Sequence, residues 1–171
     1  MGVEGYKTIA CELYQQLDFS APGAVLVPTG YGELFFGIWK GFNELKLLGL
    51  IESLPVMVSC EPMGGGPLYQ AYMTNSFPIS LDAFLTKAYS IACRKTGYRG
   101  LHVFKNTLSQ ALLVSDEDIL EGQHFLSSEG IWSEFSSAAS IAALKNIDLS
   151  QIPLNKPIVS IITSSGFKDV R

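Results

Sequence analysis

The sequence predicts an α/β fold, a mainly parallel twisted sheet flanked by helices, with residues 1–171 forming one domain. Three observations lead there. Ala24 to Val27 is an apolar run of strand length that meets Pro28 and a Gly-x-Gly turn at Gly30 and Gly32, after which the apolar spacing becomes helical through Phe42. Pro55 to Cys60 then reads as a second strand, and a strand reached through a helix pairs in parallel by a right-handed crossover. Hydrophobic residues make up 47% of the chain and charged residues only 16%, a balance that suits strands covered on both faces.

Taken in order, Tyr6, Ile9, Ala10, Leu13, Tyr14 and Leu17 mark one stripe of a first helix, which the Ser-Ala-Pro-Gly stretch from Ser20 to Gly23 ends. After the strand and turn, Leu34, Ile38, Phe42 and Leu45 keep to one face of a second helix that stops at Gly49. Glu61 to Pro67 holds two prolines and three consecutive glycines, so it reads as a loop at the carboxyl end of the second strand, where sites often form. From Leu68 to Asn106 the pattern is mixed: Ser80-Leu81-Asp82 suits a helix start, and Ser90 to Cys93 fits neither period. Ala111 to Val114 is a short strand. Ser115-Asp116-Glu117-Asp118 opens a helix with a hydroxyl cap and three acids facing the positive end of the dipole; it runs to about Ser128 and stops at Gly130. Glu134 to Ser137 precedes an alanine-rich helix from Ala138 to Leu144, Pro153 and Pro157 frame a loop, and Ile158 to Ile162 is the last strand. No internal repeat or linker interrupts the series.

Composition excludes several roles. A net charge of −4 with scattered Lys and Arg leaves no basic stripe, so nucleic acid is not an expected partner. No apolar segment approaches the ~18 residues a bilayer requires, and the first residues lack the pattern of a secretory signal, so no membrane role and a cytoplasmic location are expected. Cys11, Cys60 and Cys93 lack metal-site spacing and read as small buried thiols, while His102 and His124 read as surface or packing residues; no metal site is assigned.

The chemistry lies in the first turn. A strand, a glycine turn and a helix leave backbone N–H groups unpartnered at the helix start with the positive dipole end behind them, which suits an anion such as phosphate. The same glycines also serve simple chain reversal. A dinucleotide-binding turn needs a third glycine and an acid after the next strand; Gly37 comes too late for the first, while Glu61 follows Cys60.

Four stretches in one order carry a more specific likeness: Glu4-Gly5-Tyr6-Lys7-Thr8; Val27-Pro28-Thr29-Gly30-Tyr31-Gly32 with Gly37-Ile38-Trp39-Lys40-Gly41-Phe42; Val114 to Leu120 with Glu129-Gly130-Ile131 and Glu134 to Ala139; and Thr163 with Gly166, Lys168 and Asp169. Together they resemble the threonine synthase branch of the fold type II pyridoxal-phosphate enzymes, those built like the tryptophan synthase β subunit. The resemblance covers the carboxyl half of such an enzyme. The amino half, with the lysine that forms the Schiff base with the cofactor, has no counterpart in these residues.

The resemblance implies pyridoxal 5'-phosphate as cofactor, with Gly30, Tyr31, Gly32, Glu33 and Leu34 around its phosphate and the Thr163 hydroxyl at its pyridine nitrogen. A neutral hydroxyl there tempers the ring as an electron sink. The parent chemistry it implies is elimination or replacement on an amino acid, most simply O-phosphohomoserine to threonine. Without the lysine no catalytic residue is assigned, and the expected protein is a truncated or split enzyme, inactive alone. Gly166-Phe167-Lys168-Asp169 resembles the sequence around the family's lysine, but that lysine precedes a long helix, so Lys168 reads as structural or solvent-exposed. Glu33 departs from the family, placing a carboxylate where a phosphate dianion would sit, and Phe135 replaces a common proline. An amino-terminal half chain, or self-association through the apolar face such a half would cover, is the expected partnership; a non-catalytic module binding a phosphate-bearing ligand or a protein is the alternative.

Overall fold

The computed structural model describes residues 2–82 and 85–169. Its elements are α1 (Gly2–Gln16), β1 (Ala24–Pro28), α2 (Glu33–Leu47), β2 (Val56–Pro62), α3 (Pro67–Thr74), α4 (Tyr98–Asn106), β3 (Ser109–Val114), α5 (Asp116–Ser128), α6 (Ala139–Ala142) and β4 (Ile158–Ser160). The four strands form one sheet in the order β3-β2-β1-β4, with every neighbouring pair parallel. Ala24 sits opposite Val56 on one side and Ile158 on the other, so β1 is central. The expected α/β class with a parallel sheet holds.

Strand alternation divides the core in two. Val25, Val27 and Met57 point to a layer built from α1 to α4, with Phe35, Ile38, Phe42 and Leu101, whereas Ala24, Leu26, Val58 and Cys60 point to the opposite layer with Ile119, Leu126, Ala139 and Ala142. Both faces are therefore covered and every residue of β1 and β2 is buried, which is why β1 reads as a continuous apolar run and β2 as an apolar one broken by Ser59 and Glu61. Fully burying each Val, Leu, Ile, Phe or Met contributes about 1.5–3 kcal/mol.

Helix α1 lies against α2 across Gly37 and Gly41. A Cβ on Gly41 would stand 2.6 Å from the Lys7 carbonyl oxygen and 2.7 Å from the Ala10 Cβ, so these glycines form a groove that admits the backbone of α1. The crossing is rimmed by Lys7, which pairs with Glu4 and Glu44 at 2.8 Å, and by Lys40, which also pairs with Glu4. Lys40 and Lys7 pull the exposed Glu4 carboxyl down to about 2.

Several boundaries differ from the sequence reading. Strand β2 continues through Glu61 and Pro62 instead of ending at Cys60; Pro62 closes it, where the ladder passes to Met63, whose N–H donates to Val114 at 2.8 Å. Ser80-Leu81-Asp82 opens no helix among the described residues: Ser80 bridges antiparallel to Lys95 and Leu81 N–H donates to the Arg94 carbonyl, and residues 83 and 84 lie outside the description. The alanine-rich stretch is α-helical only over Ala139–Ala142, with 3-10 turns at Phe135–Ala138 and Ala143–Asn146. Serines interrupt it. The Ser140 hydroxyl donates to the carbonyls of Ser137 and Ile161, and the Ser136 hydroxyl accepts from Ser90 N–H, bonds that compete with a regular helix. The last strand is shorter than expected, ending at Ser160.

The start of α5 holds. The Ser115 hydroxyl oxygen accepts from Asp118 N–H at 3.1 Å and its O–H faces the Asp118 carboxylate at 2.8 Å. Ser115→Ala is expected to cost about 1 kcal/mol, read as a lower urea midpoint at unchanged m-value; an unmoved midpoint would mean the cap contributes nothing.

Candidate functional site

At the end of β1, Thr29 ties the chain down: its N–H donates to Cys60 O at 2.8 Å and its buried hydroxyl to Val27 O at 2.7 Å. The turn that follows is pressed between neighbours. A Cβ on Gly30 would lie 3.0 Å from the Ile91 carbonyl oxygen, and Gly32 has φ +96°, the left-handed region that glycine tolerates, with its Cβ position 3.0 Å from Gly100 Cα. Chain reversal and close approach thus account for both glycines.

Gly32 is also the cap of α2, and no side chain bonds there. The first helical bond runs from Phe36 N–H to Gly32 O at 3.0 Å, which leaves the N–H groups of Glu33, Leu34 and Phe35 without an acceptor among the described residues. They border a cavity of about 230 Å³ lined by Gly30 to Phe35, Ser90, Ile91 and Thr163. The structure therefore brings the turn residues and Thr163, 130 positions apart in the chain, to one opening. Small-molecule sites usually enclose roughly 300–1,000 Å³, so this cavity is smaller than a complete ligand site.

Each expected site residue has a definite place. Glu33 pairs with Arg99 of α4, Oε2 to Nη1 2.5 Å, which answers the carboxylate at the helix start with a cation. Tyr31 packs its ring on Gly97, and its hydroxyl makes no hydrogen bond among the described residues. The exposed Thr163 hydroxyl lies 2.7 Å from that of Ser137. Sequence reasoning missed Arg99 and Ser137 as neighbours of the site; Ser137 lay within a recognised stretch, whereas no local pattern marks Arg99.

Lys168 lies elsewhere. It reaches Glu134 at 3.1 Å on the rim of a separate cavity of about 670 Å³ that also holds Trp132, Phe135 and Asp169. Burial alone would raise the Glu134 carboxyl, but the Ser90 hydroxyl and the Lys168 ammonium more than offset it and hold the group below its ordinary value. Lys168 is thus a structural partner, as expected. Asp169 accepts from Phe135 N–H at 2.7 Å, tying Phe135 to the last turn.

Glu61 is not available for a ribose. Its carboxylate is fully buried at the start of α3, where Oε2 accepts from Leu68 N–H at 3.0 Å and Oε1 has no partner, and this corrects the dinucleotide alternative. The thiols divide: Cys60 is buried, but Cys11 is exposed and Cys93 half-buried, contrary to the expectation that all three are internal. His102 packs its ring against Trp39 and Phe36, and His124 is exposed. No helix among the described residues is long and apolar enough to cross a membrane.

Comparison with known proteins gives this geometry a family. The model for pyridoxal-phosphate dependent enzymes matches residues 1–164. The threonine synthase of Methanocaldococcus jannaschii is 34% identical over 98% of this chain and 42% of its own length, and that of Methanosarcina acetivorans is 33% identical over the same shares. Among solved structures, the L-serine ammonia-lyase from Rhizomucor miehei superposes with a TM-score of 0.84 at 21% identity, over 95% of this chain and 51% of that one. The serine racemase from Dictyostelium discoideum gives 0.73 at 22% identity, over 96% and 49%. The chain spans less than half the length of the curated relatives it matches.

Proposed function

The chain belongs to the family of pyridoxal-phosphate dependent enzymes, and on that premise we propose that its 171 residues are the cofactor-cradling carboxyl half of a threonine synthase-like lyase, inactive without the amino half. One observation carries the proposal: a single cavity gathers the free N–H groups of α2 and the Thr163 hydroxyl, and no lysine among the described residues lines it. The backbone of Gly30 to Leu34 would receive the phosphate and Thr163 would face the pyridine nitrogen. When bound, the cofactor supplies an aldehyde and an electron sink for elimination or replacement on an amino acid; O-phosphohomoserine is the parent substrate proposed by similarity to the threonine synthases. This half binds and orients. The amine that anchors the aldehyde and moves the Cα proton comes from outside these residues.

An apolar groove supports an association. Tyr6, Ile9 and Leu13 of α1, Leu34, and Ile161 and Ile162 beyond β4 line about 570 Å³ beside the open edge of β4, a surface for the remainder of such an enzyme or for a second copy. The same groove favours the second reading, a non-catalytic binding module. A cytoplasmic location belongs to the proposal, since free thiols, one of them exposed, suit a reducing compartment.

Titrating the purified chain with pyridoxal phosphate tests the main reading. The expected result is binding without the visible band of lysine-bound cofactor and without threonine from O-phosphohomoserine, with both appearing on addition of the amino half of a threonine synthase. Band and turnover from the 171 residues alone would overturn it, and association without activity after reconstitution would favour the binding module.

A further inference from the structure

We propose that Arg99 is a positioning residue that keeps the glycine-turn cavity open to phosphate by drawing the Glu33 carboxylate away from its own helix terminus. The inference rests on the cradle reading above and concerns what regulates it. Glu33 is the first residue of α2, so its side chain has two destinations: the unpartnered N–H groups of its own first turn, where a carboxylate is favoured, or the Arg99 guanidinium. Geometry shows which one is taken. Glu33 lines both the 230 Å³ cavity of the turn and an outer cavity of about 430 Å³, while Arg99 lines only the outer one, and its Nη1 holds Glu33 Oε2 at 2.5 Å.

Arg99 is delivered to that position by backbone contact on both sides. Gly97 lies so close to Tyr31 that a Cβ on it would stand 2.1 Å from the Tyr31 carbonyl oxygen, and Gly100 Cα stands 3.0 Å from the Cβ position of Gly32. The start of α4 therefore rests directly on the turn. The guanidinium carbon also sits 6.0 Å from the Phe36 ring centroid, within reach of a cation–π contact that limits its motion. Lys40, the other cation of the outer cavity, is engaged by Glu4, so Arg99 is the cation bonded to Glu33 among the described residues.

Without Arg99, the Glu33 carboxylate would swing onto the free N–H groups and exclude a dianion by occupancy and by like charge. This makes Arg99 act through Glu33, and a double-mutant cycle separates that role from direct contact with the anion. The probe is inorganic phosphate, titrated calorimetrically into wild type, Arg99→Gln, Glu33→Gln and the double variant, with circular dichroism to confirm that all four are folded. Arg99→Gln is expected to weaken phosphate binding about tenfold in the wild-type background and less than twofold in Glu33→Gln, which itself binds more tightly than wild type; Arg99→Lys restores most of the loss. Equal losses in both backgrounds, or none in wild type, would overturn the inference while leaving the cradle standing. Absence of phosphate binding in all four proteins would remove the cradle itself.

Discussion

Replacing Gly41 by leucine is expected to separate α1 from α2 and lower the unfolding free energy by about 3 kcal/mol or more. The obstacle at this position is backbone: a Cβ would lie 2.6 Å from the Lys7 carbonyl oxygen, which belongs to a helix and has no rotamer by which to yield. Even Gly41→Ala should therefore destabilise, although alanine is the better helix former by about 1 kcal/mol. Gly5→Ala provides the contrast. Nothing stands within 4 Å of that Cβ position, on an exposed part of α1, so the same substitution should stabilise by about 0.5–1 kcal/mol. Urea unfolding of the three variants measures this, and a Gly41→Ala protein as stable as wild type would show that the helices do not meet at this groove. The consequence reaches the cavity, because α1 holds the helix whose first turn borders it.

What the sequence made legible was whatever local pattern controls. Val25 and Val27 facing one layer while Ala24 and Leu26 face the other is the physical content of a continuous apolar run in a doubly covered sheet. Ser115 capping α5 is equally local. The misreadings arose where partners distant in sequence override the local signal. Glu61 was read into a loop because Pro62, three glycines and Pro67 follow it, yet it belongs to the strand end, where the start of α3 bonds it and it is buried. The alanine-rich segment looked like a regular helix, but Ser136, Ser137 and Ser140 bond to Ser90, Thr163 and Ile161. At the site, the glycine turn was read from the strand, turn and helix pattern, and Thr163 from the family likeness. Arg99 was not, since its significance comes only from the approach of α4 to Tyr31 and Gly32, a contact no periodicity encodes.

Glu61 should also make the whole protein less stable as the pH rises through neutrality. Burial pushes its carboxyl up to about 8, against the backbone hydrogen bond from Leu68, which favours the charged form. In the unfolded chain the same group titrates near 4.3. Between those values the folded protein holds a proton that the unfolded chain has released, so stability is greatest below about pH 4.5 as far as this group is concerned, falls as pH rises, and levels off above about 8. At about 1.4 kcal/mol per pH unit the loss across the window is on the order of 5 kcal/mol. Cys60 beside it adds nothing there, because burial pushes its thiol up and keeps it neutral. Glu61→Gln retains an oxygen for Leu68 N–H and has no proton to lose, so its unfolding free energy should vary much less between pH 5 and 8 and exceed that of wild type at the upper end if the new amide finds a partner in the Ser59 hydroxyl, which has none. The decisive measurement is the difference between the two proteins' urea midpoints at pH 5, 6.5 and 8. A constant difference would place the titrating group elsewhere, and a difference that widens steadily in favour of the variant would identify a neutral carboxylic acid at the head of α3.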